Sequence, residues 1–398
     1  MMCRGSLGRA ARFVGLGALV ALCVPATAQL GKPPAAPVPP PAGLGQKPAP
    51  SPLAEAAAQK PADGYALLNA GKTDEAIAAF QAAIKANPKD IASHVGLGQA
   101  YENKGQVPEA IKEYQTATEL NPASADFQQR LATVLARADR NDEAVEAYRR
   151  AADLQLFRAA PYVGIGEVYA KQSRWADAEA AYQRALGYEP DNSDVFLAMA
   201  RMHADRQQWD AAIRGCRAAL RAKSDYRPAR LQLANTLNSA HRQKEAIAEA
   251  NQLLAGDPKD VDARSALAVA LDGLGRPDDA IREYQAILAG DPSLAFVWGN
   301  IGWTQYGAGR YDDAIASSRK ALELDPKLAF VRFNLGLIYA AKGDTGASRR
   351  EYAEALKIGE PADVRSAIAD VRDALKRKPG LPGLEDALRA LTTRPGGK

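Results

Sequence analysis

Cysteine is nearly missing from this chain, with three in 398 residues: Cys3, Cys23 and Cys216. So few thiols exclude a disulfide framework, and a chain of this length builds a core without covalent staples. Histidine is as scarce, and His94, His203 and His241 stand alone, with no H-x-x-x-H or C-x-x-C beside them. That spacing offers no metal site, and neither a metal nor another cofactor is expected. The net charge is only +4, with basic residues scattered among acidic ones, so nucleic acid is not an expected partner. Long apolar runs are missing too. Phe13–Val24 is the longest, too short to cross a bilayer, so no integral membrane span is expected. Strand signals are absent, and the predicted class is all-α.

What is present begins with a leader. Arg4, Arg9 and Arg12 precede the Phe13–Val24 run, and Ala26-Thr27-Ala28 follows as a small-x-small cleavage site. Residues 1–28 therefore read as a secretory signal peptide. Leu22 before Cys23 is bulkier than a lipidation site favours, although a lipidated Cys23 stays open as an alternative. Cleavage removes three arginines and leaves a mature charge of about +1 (+4 − 3). Residues 29–56 carry nine prolines and no apolar periodicity, the composition of an extended tether.

From there a fixed beat takes over. Ala76, Ala110, Ala144, Ala178, Ala212, Ala246, Ala280, Ala314 and Ser348 recur every 34 residues without insertion or deletion. Framed on that period, repeats start at residues 57, 91, 125, 159, 193, 227, 261, 295 and 329. Within each, large apolar residues three to four apart form one helical stripe. Small residues flank it at position 8 (Gly98, Ala132, Gly166, Ala200, Ala234, Ala268, Gly302, Gly336), where a second helix must approach closely. Gly71, Gly105, Gly275, Gly309 and Gly343 fall between the two helices, and Pro88, Pro122, Pro190, Pro258, Pro292 and Pro326 end the second. Pro61 shortens the first helix of repeat one to about Ala62–Ala70. Asp363–Lys378 reads as a capping helix, with one more short helix and a frayed tail in 379–398.

The same frame disposes of apparent chemistry. Gly96-Leu97-Gly98 and Gly164-Ile165-Gly166 sit mid-helix in phase, with no preceding strand, and are packing glycines rather than phosphate loops. Asp74-Glu75, Asp142-Glu143, Asp278-Asp279 and Asp312-Asp313 open second helices, where carboxylates favour the helix dipole. Cys216 occupies the slot that Tyr182 fills elsewhere and reads as a small core residue. No constellation points to catalysis, and the chain is read as non-enzymatic.

The motifs H94-x-x-L97-G98-x-x-Y101, Y162-x-x-I165-G166-x-x-Y169 and W298-x-x-I301-G302, each followed in phase by a small residue and proline, resemble the tetratricopeptide repeat family throughout 57–362. The resemblance implies a right-handed superhelix, an α-solenoid of about nine helix–turn–helix repeats, that binds another protein or peptide. It also implies a concave wall at positions 2, 5, 6, 9, 12 and 13 of each first helix. On that wall repeats two to five show a mixed polar face, and repeat six adds Asn235 and Asn238. Repeats eight and nine show Phe296, Trp303, Tyr306, Phe330 and Phe333, with Asn300 and Asn334 at position 6. These aromatics are either a pocket for a partner segment, a self-association surface, or core covered by the C-terminal helices. Relatives that clamp a carboxylate begin with lysine at position 5, a slot where this chain has no basic residue. The resulting expectation is an exported, periplasmic or secreted scaffold, or else a structural subunit of an envelope assembly such as a polysaccharide-export or pilus machine. Export of the full chain should yield a product beginning at Gln29, read by intact mass; an unprocessed mass would refute the leader.

Overall fold

The computed structural model describes residues 61, 63–155 and 158–392. The leader, the tether 29–56 and residues 393–398 lie outside them. Among the described residues there are helices and turns and no strand. Repeat one supplies α1 (63–69) and α2 (Thr73–Ala86); repeat two, α3 (Ile91–Asn103) and α4 (Val107–Leu120). Repeat three gives α5 (Ala125–Arg137) and α6 (Asn141–Leu154), and repeat four α7 (Ala160–Lys171) and α8 (Trp175–Tyr188). α9 (Ser193–Asp205) and α10 (Trp209–Ala222) form repeat five, α11 (Arg227–Ser239) and α12 (Gln243–Gly256) repeat six. Next come α13 (Val261–Gly273), α14 (Pro277–Gly290), α15 (Ala295–Gly307) and α16 (Tyr311–Leu324). Repeat nine is α17 (Ala329–Lys342) and α18 (Thr345–Ile358), followed by α19 (Pro361–Arg377) and α20 (Pro382–Thr392). The chain divides into two compact bodies, one ending at Met202 and one starting at His203.

Within each body the helix pairs close on aromatic rings. In the first, a Cβ added to Gly64 would stand 2.5 Å from the Phe80 ring, and one added to Gly96 of the next repeat 2.3 Å from its other side. The ring is fully buried. Tyr148 meets Gly164, and Tyr182 meets Gly166, in the same way. In the second body Gly336 faces Tyr352. Position 24 thus sends a ring into a slot cut by the glycine at position 8 of its own repeat, by the glycine at position 6 of the next, or by both. Cys216 takes this position in repeat five and is buried.

A second recurring device holds the turns between repeats. His94 Nδ1 lies 2.6 Å from Glu113 and Nε2 3.0 Å from the Pro88 carbonyl. Arg264 donates to Glu283 at 2.6 Å and to the Pro258 carbonyl at 2.6 Å. Arg230 makes the same pair of bonds, to Glu249 (2.9 Å) and the Ser224 carbonyl (2.8 Å). Trp298, with one N–H, keeps only the carbonyl, Pro292 at 3.2 Å. At His94, Arg230, Arg264, Trp298 and Arg332, position 4 thus supplies an N–H to a turn carbonyl that the helices leave without a partner, whereas Tyr162 and Phe196 hold the position without one.

Between the paired helices, Gly71, Gly105, Gly275, Gly309 and Gly343 all have positive φ, as a left-handed helix end requires. Asp139, Ser173, Gln207 and His241 hold the same slot at φ between 57 and 59°. A side chain there is strained by its Cβ.

The C-terminal end differs from expectation. α19 starts at Pro361 because that proline fits the first helical turn and the Asp363 carboxylate accepts from the Glu360 N–H at 2.9 Å. The terminal face of α17 and α18 is closed by α20, which packs on both. Leu384, Ala387 and Leu391 are buried there, and Gly383 passes so close that a Cβ would be 2.5 Å from the Ala340 carbonyl. α19 packs chiefly on α17 and α20.

Gly166→Ala should lose about 1–3 kcal/mol, because its methyl would meet the Tyr182 ring at 2.4 Å. His241→Gly, with φ at 58°, should gain about 1 kcal/mol. Urea unfolding reads both, and a reversed sign in either refutes the corresponding account.

Candidate functional site

Three first helices, α5, α9 and α13, are started by a capping side chain at the last position of the preceding repeat, whereas α3, α7 and α11 have none. Ser124 Oγ accepts from the Phe127 N–H at 3.4 Å, Asn192 Oδ1 from Val195 at 3.1 Å, and Asp260 Oδ1 from Asp262 and Ala263, both at 3.1 Å. Before α15 and α17 the slot holds Leu294 and Leu328, and neither helix has a side-chain cap. Each missing cap costs about 1 kcal/mol. Both leucines begin the same tetrapeptide, Leu294-Ala295-Phe296-Val297 and Leu328-Ala329-Phe330-Val331. The valines are buried as core. The leucines and phenylalanines are partly exposed, and Leu294 and Phe296 also pack against a core cluster.

They line a pocket of about 630 Å³ together with Leu324 and Ile358, with Asp325, Lys327 and Asp363 at its edge. Gly299 makes room: a Cβ there would lie 3.4 Å from the Phe330 ring and 2.6 Å from Val331. Leu324 and Ile358 are 38% and 43% exposed, two of the four large apolar side chains most open to solvent among the described residues. An apolar ledge repeated over adjacent repeats is a surface that gains from being covered.

The residues singled out from the sequence scatter around this pocket. Phe296 and Phe330 line it, half-buried. Asn300 and Asn334 are partly exposed one turn further along their helices. Trp303 is partly buried, 5.3 Å from the Tyr306 ring. Three expectations need correction. Phe333, 3% exposed, is core, because the chain turns over it at Gly359, where a Cβ would be 2.7 Å from its ring. Tyr306, 8% exposed, is covered by the cluster that includes Val371 and Ala374 of α19, and burial pushes its phenol up to about 12. Asn238 is buried as a brace, donating to the Ala266 carbonyl at 2.9 Å. Asn235 of the same helix keeps a buried carbonyl oxygen without a partner. Neither asparagine lines the pocket.

Leu294, Leu328, Leu324 and Ile358 escaped the sequence reading. Their signal was legible: a leucine where the frame places a capping residue, twice, before the same three residues.

Elsewhere the inner positions carry polar work. In the first body Glu102 accepts from Tyr114 at 2.6 Å and from Arg137 at 3.0 Å. In the second, burial raises the Asp272 carboxyl to about 6. A smaller hollow of about 420 Å³ lies between Val107, Ile111, Arg137 and Arg140 in the first body. No group of three or more His, Cys, Asp or Glu side chains among the described residues is placed to hold a metal. No helix among them is long and apolar enough to cross a membrane.

Comparison with known proteins matches tetratricopeptide repeat models to residues 62–125, 96–162 and 163–227, and to 237–295. Further repeat models of the same kind match 305–343 and 331–358. No curated protein matches the sequence. Among solved structures, a tetratricopeptide repeat protein from Parabacteroides merdae is similar at 15% identity and a TM-score of 0.48, over 71% of this chain and 99% of that one. PilF of Pseudomonas aeruginosa shares 18% identity at a TM-score of 0.42, over 53% and 96%. MamA shares 24% at 0.37, over 40% and 94%.

Phe333→Ala should cost about 3–5 kcal/mol in urea unfolding, whereas Phe296→Ala and Phe330→Ala should each cost about 1 kcal/mol or less. Equal losses at all three positions would show the ledge to be core.

Proposed function

This chain belongs to the tetratricopeptide repeat family, whose repeats imply a protein–protein interaction scaffold, and from that premise we propose that it is an exported, non-enzymatic scaffold of the cell envelope. Its partner binds through a segment laid on the apolar ledge of repeats eight and nine. The leader 1–28 and the proline-rich stretch 29–56 support export and a tether, respectively.

The observation that carries the site is the pair of leucines at capping positions. Neither α15 nor α17 has a side-chain cap, and the leucines at their starts supply the ledge with Phe296 and Phe330. The same partly exposed Leu–Phe pair at the start of two adjacent repeats, opening on one pocket, supports a surface kept for binding. The shape suits an extended or helical segment with two apolar anchors spaced to meet successive phenylalanines. Asp325, Lys327 and Asp363 at the edge favour a partner with mixed charge around those anchors.

A photo-crosslinking side chain placed at Phe296 or at Phe330 should capture one discrete protein in the native envelope. The same group at the exposed Lys244 should not. Labelling that is equal at all three positions, or absent at both phenylalanines, would refute the ledge as the docking site.

A further inference from the structure

Two helices, α19 and α20, cover the C-terminal end of the array. α20 already seals α17 and α18, yet α19 lies against α17 as a second cover. Its inner face carries Ala367, Val371 and Ala374, buried in one cluster with Tyr306, Phe333 and Tyr352, and Val364, Ile368 and Leu375, partly buried against it. Beyond its last turn, Lys378 reaches back to Tyr311, with Nζ 2.7 Å from the hydroxyl and 5.0 Å from the ring centroid. Short joints set α19 apart at both ends: Gly359-Glu360 before it, and Lys378-Pro379-Gly380 after it, with Gly380 at φ +75°.

The fit beneath α19 is incomplete. In repeat two the position-24 tyrosine, Tyr114, donates its hydroxyl to Glu102 at position 12. In repeat nine position 12 is Ala340, and the Tyr352 hydroxyl, on a side chain 1% exposed, has no hydrogen-bond partner. Asp370 of α19 acts on both the Tyr306 and the Tyr352 phenol through its charge without making that bond. A buried hydroxyl without a partner raises the energy of the closed form.

We propose that α19 is a resident substitute for a partner helix. The wall it covers, formed by Tyr306, Phe333 and Tyr352, is a docking surface for an amphipathic helix that carries small apolar residues at the spacing of Ala367, Val371 and Ala374. A partner that also offers an acceptor to Tyr352 outcompetes α19, which then leaves the wall as a loop between its two joints while α20 stays seated. A helix that covers the same wall and also completes the Tyr352 hydrogen bond gains by the exchange. Affinity for the partner is reduced by the fraction of molecules in which α19 is closed. This inference rests on the scaffold reading above but uses a different surface, the wall rather than the ledge.

The test titrates a fluorescein-labelled peptide of residues 360–379 into the full chain. Val371→Asp in the protein sets a carboxylate against Tyr306 and Phe333 and frees the wall. That variant should bind the peptide at least about 10-fold more tightly than the wild type, and a peptide carrying the same substitution should not bind. In the unmodified protein, hydrogen exchange should show α19 amides opening at least about 10-fold faster than those of α17 and α20. Three results would overturn the proposal: a folded Val371→Asp protein with unchanged peptide affinity, α19 amides as protected as those of α17, or a wild-type dimer that exchanges α19 between two copies. If the variant fails to fold, the exchange measurement decides alone. Loss of cross-linking at Phe296 and Phe330 with tight peptide binding would refute the ledge and leave the wall standing.

Discussion

The fold depends on a ring inserted into a slot from which side chains have been removed. Position 24 supplies Phe80, Tyr114, Tyr148, Tyr182, Tyr284 and Tyr352, and the small residues at positions 6 and 8 supply the space. Where a Cβ would stand 2.3–2.9 Å from ring carbons, as at Gly96, Gly98, Gly164 and Gly166, the two helices are as close as the backbone allows. One inserted residue in a first helix would rotate the slot by about 100° and leave the ring against a side chain. This is a physical reason for an uninterrupted 34-residue period. Where the ring is missing, as at Cys216, Ala250 and Ser318, the facing position stays small and the helices close directly on one another.

Polar interactions then fix what ring packing leaves free. The position-4 clasp reaches a turn carbonyl and, in four repeats, a carboxylate on the paired helix, so it stabilises the turn and the helix pair together. Acids that open second helices reach basic residues of the following repeat, as in Lys104–Asp74 at 2.6 Å and Arg310–Asp278 at 2.8 Å. Such exposed pairs contribute at most about 1 kcal/mol each. Their placement explains why those carboxylates are no acid–base couples: they serve the dipole of one helix and the cation of the next. His94 is likewise committed, with both ring nitrogens engaged in the clasp.

Much of this was legible because a repeat converts sequence position into spatial position. The period separated packing glycines from phosphate loops and assigned Cys216 to the core. The left-handed slot filled by Gly71 and its counterparts was equally readable, although its four non-glycine occupants were not. Reasoning by repeat position failed where the environment of a repeat is not another repeat. Phe333 occupies a position that faces the groove in the family pattern, yet it is buried because Gly359 folds the chain over it. Tyr306 is covered by a helix that no repeat contains. The frame records which face a residue is on; what returns to cover that face depends on the tail.

The departures from the repeat pattern cluster at the C-terminal end. Leu294 and Leu328 replace caps, Ala340 removes the acceptor that Glu102 gives Tyr114, and α19 is added to a face that α20 already closes. The first leaves partly exposed apolar surface and the second an unmade hydrogen bond. The same frame can satisfy these positions: Ser124 caps α5 of repeat three, and Glu102 accepts from Tyr114 in repeat two. Since one repeat can be satisfied without altering its neighbours, these local costs are not imposed by the architecture. The partly exposed apolar ledge and the unpartnered Tyr352 hydroxyl thus lie in neighbouring repeats at the same end of the chain.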